Sequence, residues 1–93
     1  MSMNPNVLRK MVRDDYLDAR ERLSLWIEAA EEALREEGRV HEDIYAMLFW
    51  SQTEFHRRRS YLKLNRSELE LRGSQTLRAI ESRNREKMPD RGF

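Results

Sequence analysis

Apolar residues recur every three or four positions along the first third of the chain, which is the period of one face of an α-helix. The series is Val12, Tyr16, Ala19, Leu23, Trp26, Ala30 and Ala33. This alternation of spacings is typical of a coiled-coil seam. Asn4 and Pro5 provide an N-cap and a first helical residue, and Gly38 provides a left-handed C-cap. The pattern predicts a first helix over residues 5–37, about 50 Å long.

A second helix is predicted over residues 41–64 because two apolar stripes run along it. One stripe is Ile44, Leu48, Phe55 and Leu62, and the other is Met47, Trp50, Tyr61 and Leu64. Residues 46–50 are apolar almost all round the helix, and such a helix is buried on more than one side. We expect one side to contact the first helix and the other to contact a second copy of the chain.

A break is expected after residue 64, where the helical pattern gives way to Asn65-Arg66-Ser67. Ser67 and Glu70 have the spacing of a capping box, which predicts a weaker third helix over residues 67–87. Gly73 weakens this helix by about 1 kcal/mol relative to alanine. The alternative is one long second helix that bends near residue 65. Residues 88–93 contain Pro89 and Gly92, and we expect them to fray.

The composition favours an elongated molecule that shares its core with a partner. The 93 residues are 39% hydrophobic and 38% charged, so the core of one chain is thin. A compact domain of this length has a radius of gyration of about 12 Å, which the first helix alone exceeds. We therefore predict an all-α fold, a long antiparallel helical hairpin with a weaker third helix, dimerising into a helical bundle. The predicted interface residues are Trp26, Met47, Leu48, Phe49, Trp50 and Phe55.

The charge is unevenly divided between the two halves of the chain. Residues 1–50 hold seven Lys/Arg against eleven Asp/Glu, and residues 51–93 hold eleven against six. The most basic segment, His56 to Arg66, has no acidic residue. Arg59, Lys63 and Arg66 would share one face of a continuous helix there. The five candidate nucleic-acid contacts are Arg57, Arg58, Arg59, Lys63 and Arg66, since a basic helix face can follow phosphates. The alternative is that these side chains pair with the acidic first helix.

Two acidic motifs are similar to elements of metal-dependent enzymes. Asp14-Asp15-x-x-Asp18 resembles the magnesium-binding element of helical prenyl-diphosphate synthases. Glu28-x-x-Glu31 with Glu32 resembles half of the acidic motif of the MazG-like nucleotide pyrophosphohydrolases. Each lacks the second acidic element that a two-metal site requires. His41 and His56 have no neighbouring Cys or His in the sequence to complete a zinc site.

The function predicted from these patterns is binding. We expect a small non-catalytic adaptor or regulatory protein that acts through helix-mediated protein contacts, with a homodimer as its basic unit. The alternative is a DNA- or RNA-binding regulator that uses residues 57–66, and a small helical enzyme ranks third. We predict no cofactor, metal or catalytic residue. The absence of cysteine and of a long apolar run predicts a cytoplasmic protein without membrane contact.

Overall fold

The computed structural model describes residues 4–86, which form three α-helices. They are α1 (Pro5–Arg35), α2 (Glu42–Tyr61) and α3 (Glu68–Glu86). The predicted all-α class is confirmed, and no strand occurs in the described range. The predicted end of the third helix at residue 87 and the expected fraying of residues 88–93 lie outside the described residues.

The helices run up, down and up along one long axis. The ring of Tyr16, early in α1, stacks on the ring of Phe55, late in α2, with centroids 5.3 Å apart. At the opposite end, the Arg83 guanidinium of α3 donates to the carbonyls of Leu34 and Glu36, beside the end of α1. The radius of gyration is 17.0 Å and the extents are 64 × 25 × 18 Å. The molecule is therefore elongated, as the length of α1 predicted. Within the described range no helix has the length and apolar character to cross a bilayer.

The first helix begins as predicted and ends two residues early. The Asn4 side chain accepts a hydrogen bond from the Asn6 backbone N–H at 2.9 Å, and Pro5 is the first helical residue. The helix stops at Arg35 because Glu36, with φ −86° and ψ 156°, turns the backbone to an extended conformation. Gly38 does adopt the left-handed region, with φ 98°, but it does so inside the loop and is not the residue that ends the helix.

The second helix ends at Tyr61, earlier than the predicted residue 64, because Lys63 turns into the left-handed region with φ 57°. The Lys63 N–H bonds the Ser60 carbonyl at 3.0 Å, and the Leu64 N–H bonds the Arg59 carbonyl at 3.1 Å. This pair of bonds is the Schellman pattern, which usually places glycine where Lys63 lies. At its other end, α2 is capped by the His41 Nδ1 atom, which accepts from the Asp43 N–H.

The third helix is separate from α2 and reverses its direction. The Ser67 hydroxyl accepts a long hydrogen bond, 3.4 Å, from the Glu70 backbone N–H. The Glu70 carboxylate does not complete the capping box, because it pairs with Arg59 of α2 instead. Glu70, whose spacing from Ser67 suggested a helix start, thus links α3 to α2.

The core lies along the middle of the bundle and draws on all three helices. Its members with no exposed surface are Leu23, Ile27, Ala30, Leu48, Phe55 and Ile80. Gly73 is buried where α3 comes close to α2, and a Cβ there would collide with the Gln52 side chain. Without that Cβ, the Gln52 amide donates to the Glu70 carbonyl at 2.7 Å and to the Ser74 hydroxyl at 3.0 Å. Gly73 weakens α3 as an isolated helix, but its lack of a side chain lets α3 come close enough to α2 for these hydrogen bonds.

Candidate functional site

The apolar run in α2 divides between the inside and the outside of the bundle. Leu48 and Phe55 have no exposed surface because they face α1 and α3 within the same chain. This corrects their predicted place at an interface between subunits, since a side chain already buried in its own chain offers no area to a second one. Within the single chain, residues 46–50 are therefore buried on the inner side alone, and the predicted contact of the outer side with a second copy stays a prediction.

The other predicted interface residues retain some exposed surface. Phe49 and Trp50 are 55% and 46% exposed, while Trp26 and Met47 are half-buried at the edge of the core. The Phe49 ring stacks on Tyr45 with centroids 6.3 Å apart. The Arg22 guanidinium of α1 lies 5.3 Å from the centre of the Trp50 ring, within the range of a cation–π contact. Both exposed rings are thus held in place by neighbours.

Trp50 belongs to a row of exposed residues along the outer face of α2, which we name the α2 seam. Its members are Asp43, Ala46, Trp50, Thr53 and Arg57. They are spaced three, four, three and four apart, so they lie on one side of the helix and point away from the core. The seam carries an acid at one end, a base at the other and two small residues beside its tryptophan.

The arginine with the deepest ion pair of the basic segment is Arg59. Its guanidinium bonds the Glu70 carboxylate, and the two side chains are only 12% and 3% exposed. It also donates to the Leu64 carbonyl at 2.8 Å, and a further nitrogen lies 3.0 Å from the Nδ1 atom of His56. Arg66 approaches the same carboxylate at 3.7 Å. These contacts join the end of α2 to the start of α3.

The arginine next to it points to the other side of α2. Arg58 bonds the Glu54 carboxylate and lies 3.4 Å from the Asp15 carboxylate of α1. Its hydrogen bond to Glu54 is the main reason why the pKa of that carboxyl is lowered from its ordinary value. Arg57 lies 3.4 Å from Glu54 and is 73% exposed.

The structure does not give the basic segment one continuous phosphate-facing surface. Lys63 lies in the left-handed turn after α2 and Arg66 follows that turn, so neither shares a helix face with Arg59. The predicted common face is wrong because the helix ends before it could form. All four arginines of the candidate set, Arg57, Arg58, Arg59 and Arg66, have a carboxylate within ion-pair distance. Among the described residues, the Arg58–Asp15 contact is the one that matches the predicted pairing of the basic segment with the acidic first helix.

The acidic motifs of α1 take part in ion pairs. The Glu31 carboxylate bonds Arg72 of α3, and this hydrogen bond lowers the pKa of Glu31. Asp15 pairs with Arg58, as described. Across residues 4–86 no group of three or more His, Cys, Asp or Glu side chains is placed to hold a metal ion.

A second surface, which the sequence analysis missed, lies between α1 and the turn after α2. We name it the basic groove, and it has a volume of about 480 Å³. It is lined on α1 by Arg9, Arg13, Tyr16, Leu17 and Arg20, and on the turn by Leu62 and Leu64. Leu17 and Leu64 are 46% and 44% exposed. The spacings of four and seven between the arginines could have shown that they share one side of α1. The two leucines of the turn could not have been placed from their spacing.

The three groove arginines differ from those of the basic segment in their partners. None of Arg9, Arg13 and Arg20 forms an ion pair with another residue of the described range. Their charges are therefore available to a molecule that enters the groove.

Comparison with known protein families, with curated proteins and with solved structures gave no match. The α2 seam and the basic groove, with their shape and charge, are therefore the basis for assigning a function.

Proposed function

We propose that this chain is a small helical adaptor or regulatory protein that acts through helix-to-helix contacts, and that it forms an antiparallel homodimer through the α2 seam. The observation that carries the proposal is the exposure of Trp50 in the middle of the seam, next to the exposed ring of Phe49. Large aromatic side chains are enriched at protein interfaces and supply much of their binding energy. The proposal places the protein in the cytoplasm, since a chain without cysteine needs no oxidising compartment to fold.

The α2 seam is complementary to itself when two copies run antiparallel. Asp43 and Arg57 are each seven residues from Trp50, about 10 Å along the helix in opposite directions. A two-fold axis beside Trp50 would therefore bring Asp43 of one copy opposite Arg57 of the other. Ala46 and Thr53 are small enough to leave room for the tryptophan of the second copy between the helices.

Sedimentation equilibrium of the whole chain at micromolar concentration tests this dimer. We expect twice the chain mass of 11.3 kDa for the wild type, and a helical monomer for Trp50→Ala. Arg57→Asp should weaken the dimer by placing two acids opposite each other, and adding Asp43→Arg should restore it. Leu71→Ala is the matched control, because Leu71 is 49% exposed on α3, outside the seam. A wild type that stays monomeric while fully helical would overturn the proposed dimer.

The alternative function, nucleic-acid binding by residues 57–66, has less support because four of its five basic side chains already face carboxylates. Fluorescence anisotropy with duplex DNA and with RNA at low salt tests it. Arg57→Ala with Lys63→Ala is the informative variant, since it leaves the Glu70 contacts intact. Each lost phosphate contact should reduce the log–log salt slope on duplex DNA by about 0.9. Absence of binding by the wild type removes this alternative.

A further inference from the structure

The basic groove exists because α1 is longer than the helices packed on it. Tyr61, the last residue of α2, lines a cavity together with Val12 of α1, so α2 ends close to that position. The third helix begins only at Glu68, and its Arg72 pairs with Glu31, far along α1. In the first half of α1, α2 therefore packs on one side. The side of α1 that α3 covers in the second half remains exposed in the first half.

The open side of α1 has the surface of a helix-binding groove. Arg9 and Arg20 are eleven residues apart, which is about 17 Å or three turns of helix. Arg13 lies between them on the same side of α1. Leu17 lines the groove beside this row, and Leu62 and Leu64 of the Schellman turn at Lys63 supply further apolar lining. Leucine side chains beside a row of arginines match a ligand that is apolar on one face and anionic along its edges.

We propose that the basic groove binds an acidic amphipathic helix of a partner protein, which packs on α1 in the place that α3 leaves open. The partner's apolar side chains cover Leu17, Leu62 and Leu64, and its Asp or Glu side chains pair with the three arginines. Three turns of a partner helix fit the length of the row. The inference rests on the proposed function, in that it names the chemistry of the partner that the adaptor would bind.

The three leucines of the lining are the reason to favour a protein helix over a nucleic acid. Nucleic-acid grooves on proteins combine cationic side chains with polar or aromatic ones that hydrogen-bond or stack on bases, and leucine does neither. Tyr16 also lines the groove, but its ring is already stacked on Phe55. Helix recognition uses apolar anchors at helical spacing in a groove of this kind. A second copy of the chain is less favoured as the occupant, because the groove is lined by α1 and the turn, away from the outward face of α2 that carries the seam.

The probe is a synthetic helical peptide of about eighteen residues, long enough to pass the three-turn row at both ends. It carries leucine at alternating three- and four-residue spacings with glutamate on both flanks, and a fluorophore at one end. A scrambled peptide of the same composition is the control for charge alone. We expect the full-length protein to bind the amphipathic peptide with a micromolar Kd in anisotropy titrations at low salt, and the scrambled peptide at least tenfold more weakly.

Two charge-matched double variants separate the groove from general basicity. Arg13→Gln with Arg20→Gln should weaken peptide binding about tenfold. Arg39→Gln with Arg78→Gln removes the same charge from exposed positions that do not line the groove, and should change Kd less than twofold. Leu17→Ala should also weaken binding while the net charge is unchanged. Circular dichroism melts of every variant show whether the fold is retained.

Several outcomes would overturn the proposal. These are no binding of the amphipathic peptide by the wild type, equal binding of both peptides, or equal loss in the two double variants. Arginine-dependent binding of duplex DNA or RNA in place of the peptide would identify a nucleic-acid surface. A wild-type dimer that Arg13→Gln with Arg20→Gln converts to a monomer would identify a second copy as the occupant. A wild type that is monomeric and still binds the peptide would show that the proposed α2 seam dimer is wrong while the groove proposal holds.

Discussion

The inner and outer faces of α2 are built from the same kinds of residue and have different environments. On the inner face, Leu48 and Phe55 are fully buried, and Arg59 pairs with the buried Glu70. On the outer face, Trp50 is 46% exposed and Arg57 is 73% exposed. Hydrophobic character and charge alone do not separate the two sets. The inner residues hold the three helices together, while the outer ones remain exposed at the surface of the bundle.

This contrast explains why the hydrophobicity of α2 suggested more burial than one chain provides. A three-helix bundle covers a helix on two sides, and the third side faces away from both neighbours. The exposed aromatic residues are therefore the place to look for a contact with another molecule, and the buried ones are the place to look for stability. Substitutions on the two faces should separate these two effects.

The largest expected difference is between two phenylalanines. Phe55→Ala should lower the free energy of unfolding by about 3–5 kcal/mol, because it opens a cavity in the core and removes the ring that stacks on Tyr16. Phe49→Ala should cost about 1 kcal/mol or less, because that ring is 55% exposed. Urea denaturation followed by circular dichroism, at one protein concentration, measures both. Equal losses of unfolding free energy would mean that the two faces of α2 contribute equally to stability.

A second test compares two arginines of α2. Arg59→Ala should destabilise the fold by about 2 kcal/mol, because the buried Glu70 carboxylate loses its nearest charged donor. Arg57→Ala should stay within about 0.5 kcal/mol of the wild type, as is usual for exposed ion pairs. The same denaturation curves report both values. If Arg59→Ala is neutral, the buried ion pair does not hold α2 and α3 together.

A smaller effect of opposite sign is expected inside the core. Ser51 is 1% exposed on the inner face, and its hydroxyl has no hydrogen-bond partner in the part of the chain that the structure describes. Ser51→Ala should therefore stabilise the protein by about 1 kcal/mol, since it removes a buried polar group that is unpaired. Ser82→Ala, at an exposed position of α3, measures the gain from helix propensity alone. A gain no larger than that of Ser82→Ala would show that the Ser51 hydroxyl is satisfied.

The smallest expected effect is on the pH dependence of stability. Hydrogen bonds from Arg58 and Arg72 lower the pKa values of Glu54 and Glu31 in the folded state. A lowered carboxyl pKa contributes stability above the unfolded pKa of about 4.3, and this contribution is lost as the pH falls through the folded pKa. Both pairs contact solvent, so the loss should be modest and should shrink in high salt. Urea midpoints at pH 7, 5 and 3 test this, and Glu54→Gln should show a weaker acid dependence than the wild type.

Helix starts were the most predictable features of this chain, because they depend on short-range chemistry. Asn4 and Pro5 begin α1, and the break before Ser67 separates α3 from α2, both as read from the sequence. The ends were less predictable. The second helix stops three residues before the predicted end because Lys63 adopts the left-handed conformation that glycine favours. No local sequence pattern predicts this conformation for a lysine.

The candidate surfaces were only partly predictable. Phe49 and Trp50 were expected at an interface and are exposed, whereas Leu48 and Phe55 from the same prediction lie in the core. Periodicity defines the faces of a helix and does not state which face meets a neighbour. The basic groove was missed because it combines residues of α1 with a turn more than forty residues later in the chain.

The sequence by itself determined the all-α class, the length of α1 and hence the elongated shape, because helical periodicity and caps act within a few residues. Only the tertiary structure decided how the charged and apolar residues are used. Glu70, which has the spacing of a helix cap, became the buried partner of Arg59, and Gly73 became the point where α3 can approach Gln52. Contacts between distant segments depend on how helices of unequal length align in three dimensions. That alignment buries one face of α2 and leaves the seam and the basic groove exposed.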